Sequence, residues 1–248
     1  MAEPDVELLV APNPGPMTLE GTNTYLVGRD PTVVIDPGPA DEGHIEKVRA
    51  AAGERGGIGT VLLTHGHSDH SGGIELLGIT PTEIEDGAAR EAIAAMATPG
   101  HAADHVCFLL GPEHPAAGEL DGTICFAGDL ILGEGSTIVP PADQGGSLAD
   151  YMRSLRRLQE LDLALILPGH GPRITDPAAK IAEYIDHRES RERRLVEALD
   201  RGVHSRMELL AIVWDDVPAE LRPAAAFALQ AHLDKLAEED RLPKGISE

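Results

Sequence analysis

At 248 residues the chain has room for one large domain, or one domain with a small appendage. Hydrophobic residues make up 42%, enough for a sizeable core and too many for wholesale disorder, but aromatics at 3% leave that core to Ala, Val, Ile and Leu. A formal net charge of -22 argues against tight non-specific nucleic-acid binding, which needs Lys and Arg on the phosphates; it leaves open a site that meets a phosphate through metal ions.

In chain order, MAEPDVELLV lacks a basic stretch followed by a long apolar run, so it is not read as a secretory signal. The Pro/Gly-rich 11-APNPGPMTLEG-21 is expected to be an ordered or semi-ordered loop. Residues 23–28 and 32–36 are short apolar or β-branched runs bounded by Gly, Pro and Asp, and predict strands. Residues 41–53 predict a helix, with acids in the first turn and Gly53 as its stop. A strand over 60–64 leads into 64-THGHSDHSGG-73, with a short helix expected after Ser71.

Two further strands, 105–110 and 123–128, flank a long turn-rich loop and predict a hairpin. Residues 147–161 have helical spacing with Ser147 as N-cap, and 163–171 read as a strand running into a loop. Interleaved strands and helices, with the polar motifs at strand ends, indicate an α/β layered domain over residues 1–175. Near residue 176 the composition shifts. One long amphipathic helix is predicted over 177–201, with Pro177 in its first turn, then two more over 205–214 and 223–240; residues 176–248 form a helical appendage. Cys107 and Cys125 lie in apolar runs with no CxxC spacing and read as buried thiols of a reducing compartment. No apolar stretch reaches membrane-spanning length, so a cytoplasmic protein without a membrane partner is expected.

The chemistry concentrates in the loop after residue 64. His65, His67, Asp69 and His70 place four metal-capable side chains in six residues at a strand end. Imidazole with carboxylate suits Zn, Fe or Mn rather than Ca or Mg alone. Four such groups exceed the needs of one tetrahedral site that keeps a water, but fit two adjacent metals completed from elsewhere. His101 in TPGH, Asp129 in FAGD and His170 in PGHG each sit in a loop at the end of a core element, where functional residues tend to lie.

Other residues carry blander expectations. Gly72 and Gly73 belong to no phosphate-loop motif and should let the backbone pass close to the site as a helix starts. Asn23, Thr24 and Tyr25 face either substrate or solvent on an edge strand. Arg188, Arg191, Arg193 and Arg194 alternate with acids and read as a salt-bridged helix face. His105 is a candidate support for a ligand. His44, His114, His187, His204 and His232 are expected to face solvent.

The set HGHSDH at 65–70, followed in order by His101, Asp129 and His170, resembles the metallo-β-lactamase superfamily over residues 8–175. NPGPMTLEGTNTYLVG, LTHGHSDHSGGI, GDLILGEGSTIV and LPGHGPRI resemble its beta-lactamase-like protein 2 subgroup. The resemblance implies an αββα sandwich with a metal site at one edge of its two sheets and a C-terminal winged-helix-like domain. It implies two zinc ions, with Fe or Mn as alternatives: His65, His67 and His101 on the first, Asp69, His70 and His170 on the second, Asp129 bridging, and Asp36 in VVIDPG supporting the loop from behind. The implied reaction is hydrolysis by a metal-bridging hydroxide, with Asp69 orienting it and taking its proton.

Two substrates compete: single-stranded RNA, slightly ahead because the subgroup motifs extend beyond the ligands, and a small acyl thioester, as in glyoxalase II or polyketide-releasing enzymes. A β-lactamase role is less favoured because Asp129 crowds the site, and a non-catalytic metal-stapled scaffold because the ligand set is complete. Residues 223–240 hold one Lys and no Arg, so the appendage is expected to serve packing or homodimerisation rather than duplex DNA. Only 30 residues, 71–100, separate His70 from His101, less than the family usually has, so a hairpin or part of a strand is expected to be missing there.

Overall fold

The computed structural model describes residues 2–218 and 221–246. Its first sheet has the order β1 (Val6–Val10), β2 (Asn23–Val27), β3 (Thr32–Ile35), β4 (Ile58–Leu62). Its second runs β5 (Ala89–Arg90), β6 (Ile93–Ala97), β7 (Val106–Leu110), β8 (Thr123–Gly128), β9 (Leu163–Pro168). Both sheets are antiparallel until their last pair, β3/β4 and β8/β9, which is parallel. A parallel pair needs a crossover. The first contains α1 (Glu42–Gly53) and the second α4 (Leu148–Gln159), and each helix packs on the outer face of its own sheet.

Apart from β1 and β5, the strands are largely buried on both faces, and alternate residues go to different cores. Tyr25, Val27, Val33 and Ile35 meet Ile93, Phe108, Ile124 and Phe126 between the sheets. Leu26, Val34 and Val61 point outward to Ile45 and Val48 of α1. On the other side Cys107, Cys125 and Ile166 meet Tyr151, Leu155 and Leu158 of α4. The fold is an αββα sandwich, and both cysteines are buried and free.

Ser147 caps α4 by accepting from the Asp150 amide, as expected, and Asp41 caps α1 by accepting from that of His44. Three elements depart from expectation. The helix expected after Ser71 begins inside the motif: α2 (Ser68–Ser71) carries Asp69 and His70, and α3 (Ile74–Leu77) follows. β1 was not foreseen; it is a half-exposed edge, with Leu8 and Val10 facing outward. Between His70 and His101, where a hairpin or part of a strand is expected to be missing, a two-residue β5 pairs with β6, a strand that was not foreseen. β6 reads IAAMA, a weak strand sequence, and is held by its register with β7, which sets Ala95 opposite Phe108.

α5 (Pro177–Asp200) starts with Asp176 accepting from the Ala179 amide and Pro177 in the first turn. Its N-terminal half packs Ile181 and Tyr184 on the sandwich. Its C-terminal half packs Leu195, Ala198 and Leu199 against α6 (Arg206–Val213) and α7 (Arg222–Glu238) through Leu209, Trp214, Leu229 and Leu233. The arginines of α5 are not one exposed face. Arg193 and Arg194 are exposed and paired with acids, but Arg188 and Arg191 are buried. Arg191 clamps Asp216 at 2.7 and 2.8 Å and donates to the Val213 carbonyl, so it ties α5 to the end of α6. No helix among the described residues is long and apolar enough to cross a membrane.

Candidate metal centre

Because β3, β4, β8 and β9 end in parallel pairs, their C-terminal ends lie together at one edge of the sandwich. Asp36 follows β3, the HGHSDH loop follows β4, Asp129 follows β8 and His170 follows β9. The turn after β6 brings His101 to the same edge. Three overlapping groups of potential ligand atoms result, each with its atoms within 4.8 Å of one another: His65, His67 and His101; His65, His70 and Asp129; Asp69, His70 and His170.

Hydrogen bonds on the far side of each ring fix which nitrogen carries the proton. Asp36 Oδ2 accepts from Thr64 Oγ1 at 2.7 Å and from His70 Nδ1 at 2.9 Å, and its Oδ1 accepts from the Thr64 amide at 2.8 Å. With its own proton committed to Asp36, Thr64 Oγ1 can only accept from His65 Nδ1, 3.0 Å away. His101 Nδ1 donates to the Ile138 carbonyl and His170 Nδ1 to that of Gly21. In all four rings the free lone pair is therefore on Nε2, which faces the centre.

That arrangement sets lone pairs against each other. His70 Nε2 and His170 Nε2 are 3.3 Å apart, and His65 Nε2 and His101 Nε2 stand 3.0 and 3.1 Å from the same His67 Nδ1. Neutral imidazoles cannot satisfy these contacts, since His67 has at most one proton to give at Nδ1. Asp129 Oδ1 lies 3.4 Å from both His70 Nε2 and His170 Nε2, yet is buried without a hydrogen-bond partner, and its Oδ2 is 3.5 Å from His101. A buried carboxylate oxygen and converging imidazole lone pairs are what a pair of cations would relieve, so the residues fit a dinuclear metal group.

The charges divide the centre in two. Burial, helped by the neighbouring His70 and His105, pushes His65 down to about 2, and burial also lowers His101 despite Asp129; this side holds neutral imidazoles. At His70 and His170 burial is outweighed by carboxylates: Asp129 and Asp36 hold His70 well above the usual histidine range, and Asp129 and Asp69 raise His170 to about 9. Asp129 is in turn held low against its burial by His70 and His170.

Glycines make room. A Cβ on Gly169 would stand 2.6 Å from Asp129 Oδ1; one on Gly73 would stand 2.6 Å from Ile45 Cδ1, so the close approach at Gly73 is to α1 rather than to the metal site as expected. At Gly128, φ is +46° and a Cβ would lie 2.7 Å from His105 Nε2.

Several expectations are corrected here. β2 is an inner strand in which Asn23, Thr24 and Tyr25 are buried, so the edge-strand role expected of them is corrected. Asn23 Nδ2 donates to the carbonyls of Pro168 and Gly171, and Tyr25 Oη to that of Pro168, which fixes the loop carrying His170. His44 is buried with Nε2 at 2.9 Å from Thr24 Oγ1, and His232 is buried too, because both lie on the inner faces of their helices. His105 does support a ligand: its Nε2 accepts from the Asp129 amide, and its Nδ1 donates to Thr98 Oγ1. Thr64, Thr98 and the Gly21 and Ile138 carbonyls had no sequence signal, since each acts through a generic backbone or hydroxyl group.

Comparison with known proteins places the chain in a family. The model of the metallo-beta-lactamase superfamily matches residues 17–80 and 83–170, and that of the beta-lactamase associated winged helix domain matches 205–244. Lactamase-like protein adaB of Aspergillus niger is 36% identical over 93% of this chain and 79% of its own length. The beta-lactamase-like protein 2 homolog of Drosophila melanogaster is 32% identical over 93% and 87%, and the atrochrysone carboxyl ACP thioesterase of Aspergillus fumigatus 33% over 88% and 76%. The crystal structure of a metallo-beta-lactamase family protein from Thermus thermophilus shares the fold with a TM-score of 0.75 at 23% identity, covering 95% of this chain and 94% of that one. With a family match over more than half its length and relatives above 30% identity across nearly all of it, this chain belongs to the metallo-beta-lactamase superfamily.

Proposed function

We propose that the protein is a hydrolase that works with two zinc ions and cleaves small acyl thioesters. The observation that carries the metal-dependent reading is the unpartnered Asp129 Oδ1, set between one trio of histidine nitrogens and a second cluster of Asp69, His70 and His170. Imidazole-rich ligation with two carboxylates suits zinc, with iron or manganese as competitors. When bound, the metal ions would lower the pKa of a water towards about 7 and polarise the substrate carbonyl.

The chain's own residues do the rest. Asp69 is the most exposed carboxylate of the set, its side chain 29% accessible, with Oδ2 3.3 Å from His170 Nε2. Burial would raise it, but His170 and His70 hold it below its usual value, so at neutral pH it is an ionised acceptor that orients an attacking water by hydrogen bonding. Asp36 and His105 keep His70 and Asp129 in place.

The imidazoles and carboxylates that converge on the centre would be committed to the metals, which leaves none of them free to protonate a leaving alkoxide. A thiolate needs little such help. The charge of -22 disfavours a polyanionic substrate, and one relative is named as a thioesterase. A second reading, cleavage of single-stranded RNA, is supported by the motifs shared with the beta-lactamase-like protein 2 subgroup beyond the metal ligands.

Metal analysis with parallel assays of an acyl N-acetylcysteamine thioester and a fluorescent single-stranded RNA separates the two. We expect two zinc per chain, thioester turnover, and loss of turnover in His67→Ala. RNA cleavage without thioester turnover overturns the substrate assignment; full activity in His67→Ala overturns the dinuclear mechanism.

A further inference from the structure

Between β8 and α4 the chain runs over residues 129–146 as coil, broken by one 3-10 turn at Ala142–Gln144. Much of this coil is buried all the same, including Leu130, Ile131, Leu132, Thr137 and Val139. Buried backbone outside helices and strands must find its hydrogen-bond partners elsewhere, so those partners set the shape of the segment. They come from two sides.

One side is the metal centre. Thr137 Oγ1 donates to the Asp129 carbonyl at 2.7 Å, and the Ile138 carbonyl accepts from His101 Nδ1 at 2.9 Å. The Gly133 amide donates to the His170 carbonyl at 2.9 Å. Three of the seven candidate ligands are thereby tied to one short stretch of coil.

The other side is the C-terminal helices. Tyr184 Oη on α5 accepts from the Leu132 amide at 3.0 Å and donates to the Gly135 carbonyl at 3.1 Å. One turn further along α5, Arg188 donates to Ser136 Oγ at 3.0 Å and to the Thr137 carbonyl. On α7, Asp234 accepts from the Ala142 amide at 2.9 Å. Bonds to the helices therefore interleave with bonds to the ligands along the same few residues. Tyr184 is buried, and removing its hydroxyl takes the partner from the buried Leu132 amide, which the coil can replace only by moving.

We propose that the C-terminal helices are part of the metal centre, with Tyr184 as a positioning residue that fixes Asp129 and His101 through the coil 130–138. The inference rests on the reading that this site holds metal. A ligand whose support is loosened must be ordered when metal binds, at a cost in conformational entropy, so the bond at Tyr184 acts on metal affinity from a distance. The other half of α5 has no such role: Leu195 and Leu199 pack against α6 and α7, not against the coil.

Zinc is titrated against a chromophoric chelator into metal-free wild type, Tyr184→Phe and Leu199→Ala, and the melting temperature of each metal-free protein is measured alongside. Tyr184→Phe should bind zinc roughly five- to ten-fold more weakly than wild type, and its cobalt-loaded form should show a shifted d–d absorption. Leu199→Ala removes buried methyl groups from the same helix away from the coil, so it should lower the melting temperature at least as far while keeping wild-type zinc affinity. Unchanged zinc affinity or an unchanged cobalt spectrum in Tyr184→Phe overturns the inference and leaves the metal reading standing. An equal loss of affinity in Leu199→Ala also overturns it, since the effect would then be one of general stability. A wild type that binds neither zinc nor cobalt overturns the metal reading and this inference with it.

Discussion

Replacing Asp36 with Asn changes one atom and tests the hydrogen-bond arithmetic of the metal centre. The backbone is no obstacle: Asp36 has φ of +52°, and asparagine tolerates the left-handed region better than most residues. The carboxylate accepts three hydrogen bonds, from the Thr64 amide at 2.8 Å, Thr64 Oγ1 at 2.7 Å and His70 Nδ1 at 2.9 Å. A carboxamide has one accepting oxygen and one donating nitrogen, so one side must face a donor. If its NH₂ faces the Thr64 amide, two N–H groups oppose each other in a buried site. If it faces His70, that ring must move its proton to Nε2, the atom aimed at the second metal position. Either outcome loses a hydrogen bond to a charged group, worth about 1.5–3 kcal/mol. Disturbing such a partner of a metal-ligating histidine costs about 10–100-fold in metal affinity. In a zinc titration against a chromophoric chelator, Asp36→Asn should bind one of two zinc ions about 10–100-fold more weakly. Two equivalents bound with wild-type affinity would refute both the tautomer assignment and the role of His70.

Other sites give separate tests. Gly169→Ala should reduce zinc binding about ten-fold or more while leaving the metal-stripped protein folded by circular dichroism, because its Cβ would enter the space of Asp129 Oδ1 and His70 Cε1. Arg188→Met frees the segment 136–138, whose Thr137 Oγ1 donates to the Asp129 carbonyl and whose Ile138 carbonyl accepts from His101; zinc affinity should fall by about ten-fold, read by the same titration. His232, at about 3 when folded and about 6.5 when unfolded, contributes stability that is complete above about pH 6.5 and lost as pH falls towards 3. The loss approaches roughly 1.4 kcal/mol per pH unit, so between pH 7 and 4 the wild type should lose more melting temperature than His232→Leu; equal slopes would place the acid sensitivity elsewhere.

The sequence by itself determined the elements with strong local periodicity and the inventory of ligand types. Strand runs such as TYLV and TICFAG, the cap Ser147, and Pro177 at a helix start are each readable within a few residues. The ligand-rich loop was legible for the same reason: His65, His67, Asp69 and His70 crowd one strand end. What only the tertiary structure decided depends on contacts far apart in the chain. His170 gets its tautomer from the Gly21 carbonyl, 149 residues away, and His70 from Asp36, 34 residues away. β6 is a strand because β7 offers it a register, not because IAAMA favours one. A single histidine on a helix has no pattern to show whether it faces water or core, so His44 and His232 read as exposed until the packing of α1 and α7 buried them. Local spacing encodes which face a residue shares with its neighbours; which other element comes to cover that face is settled only when the whole chain has folded.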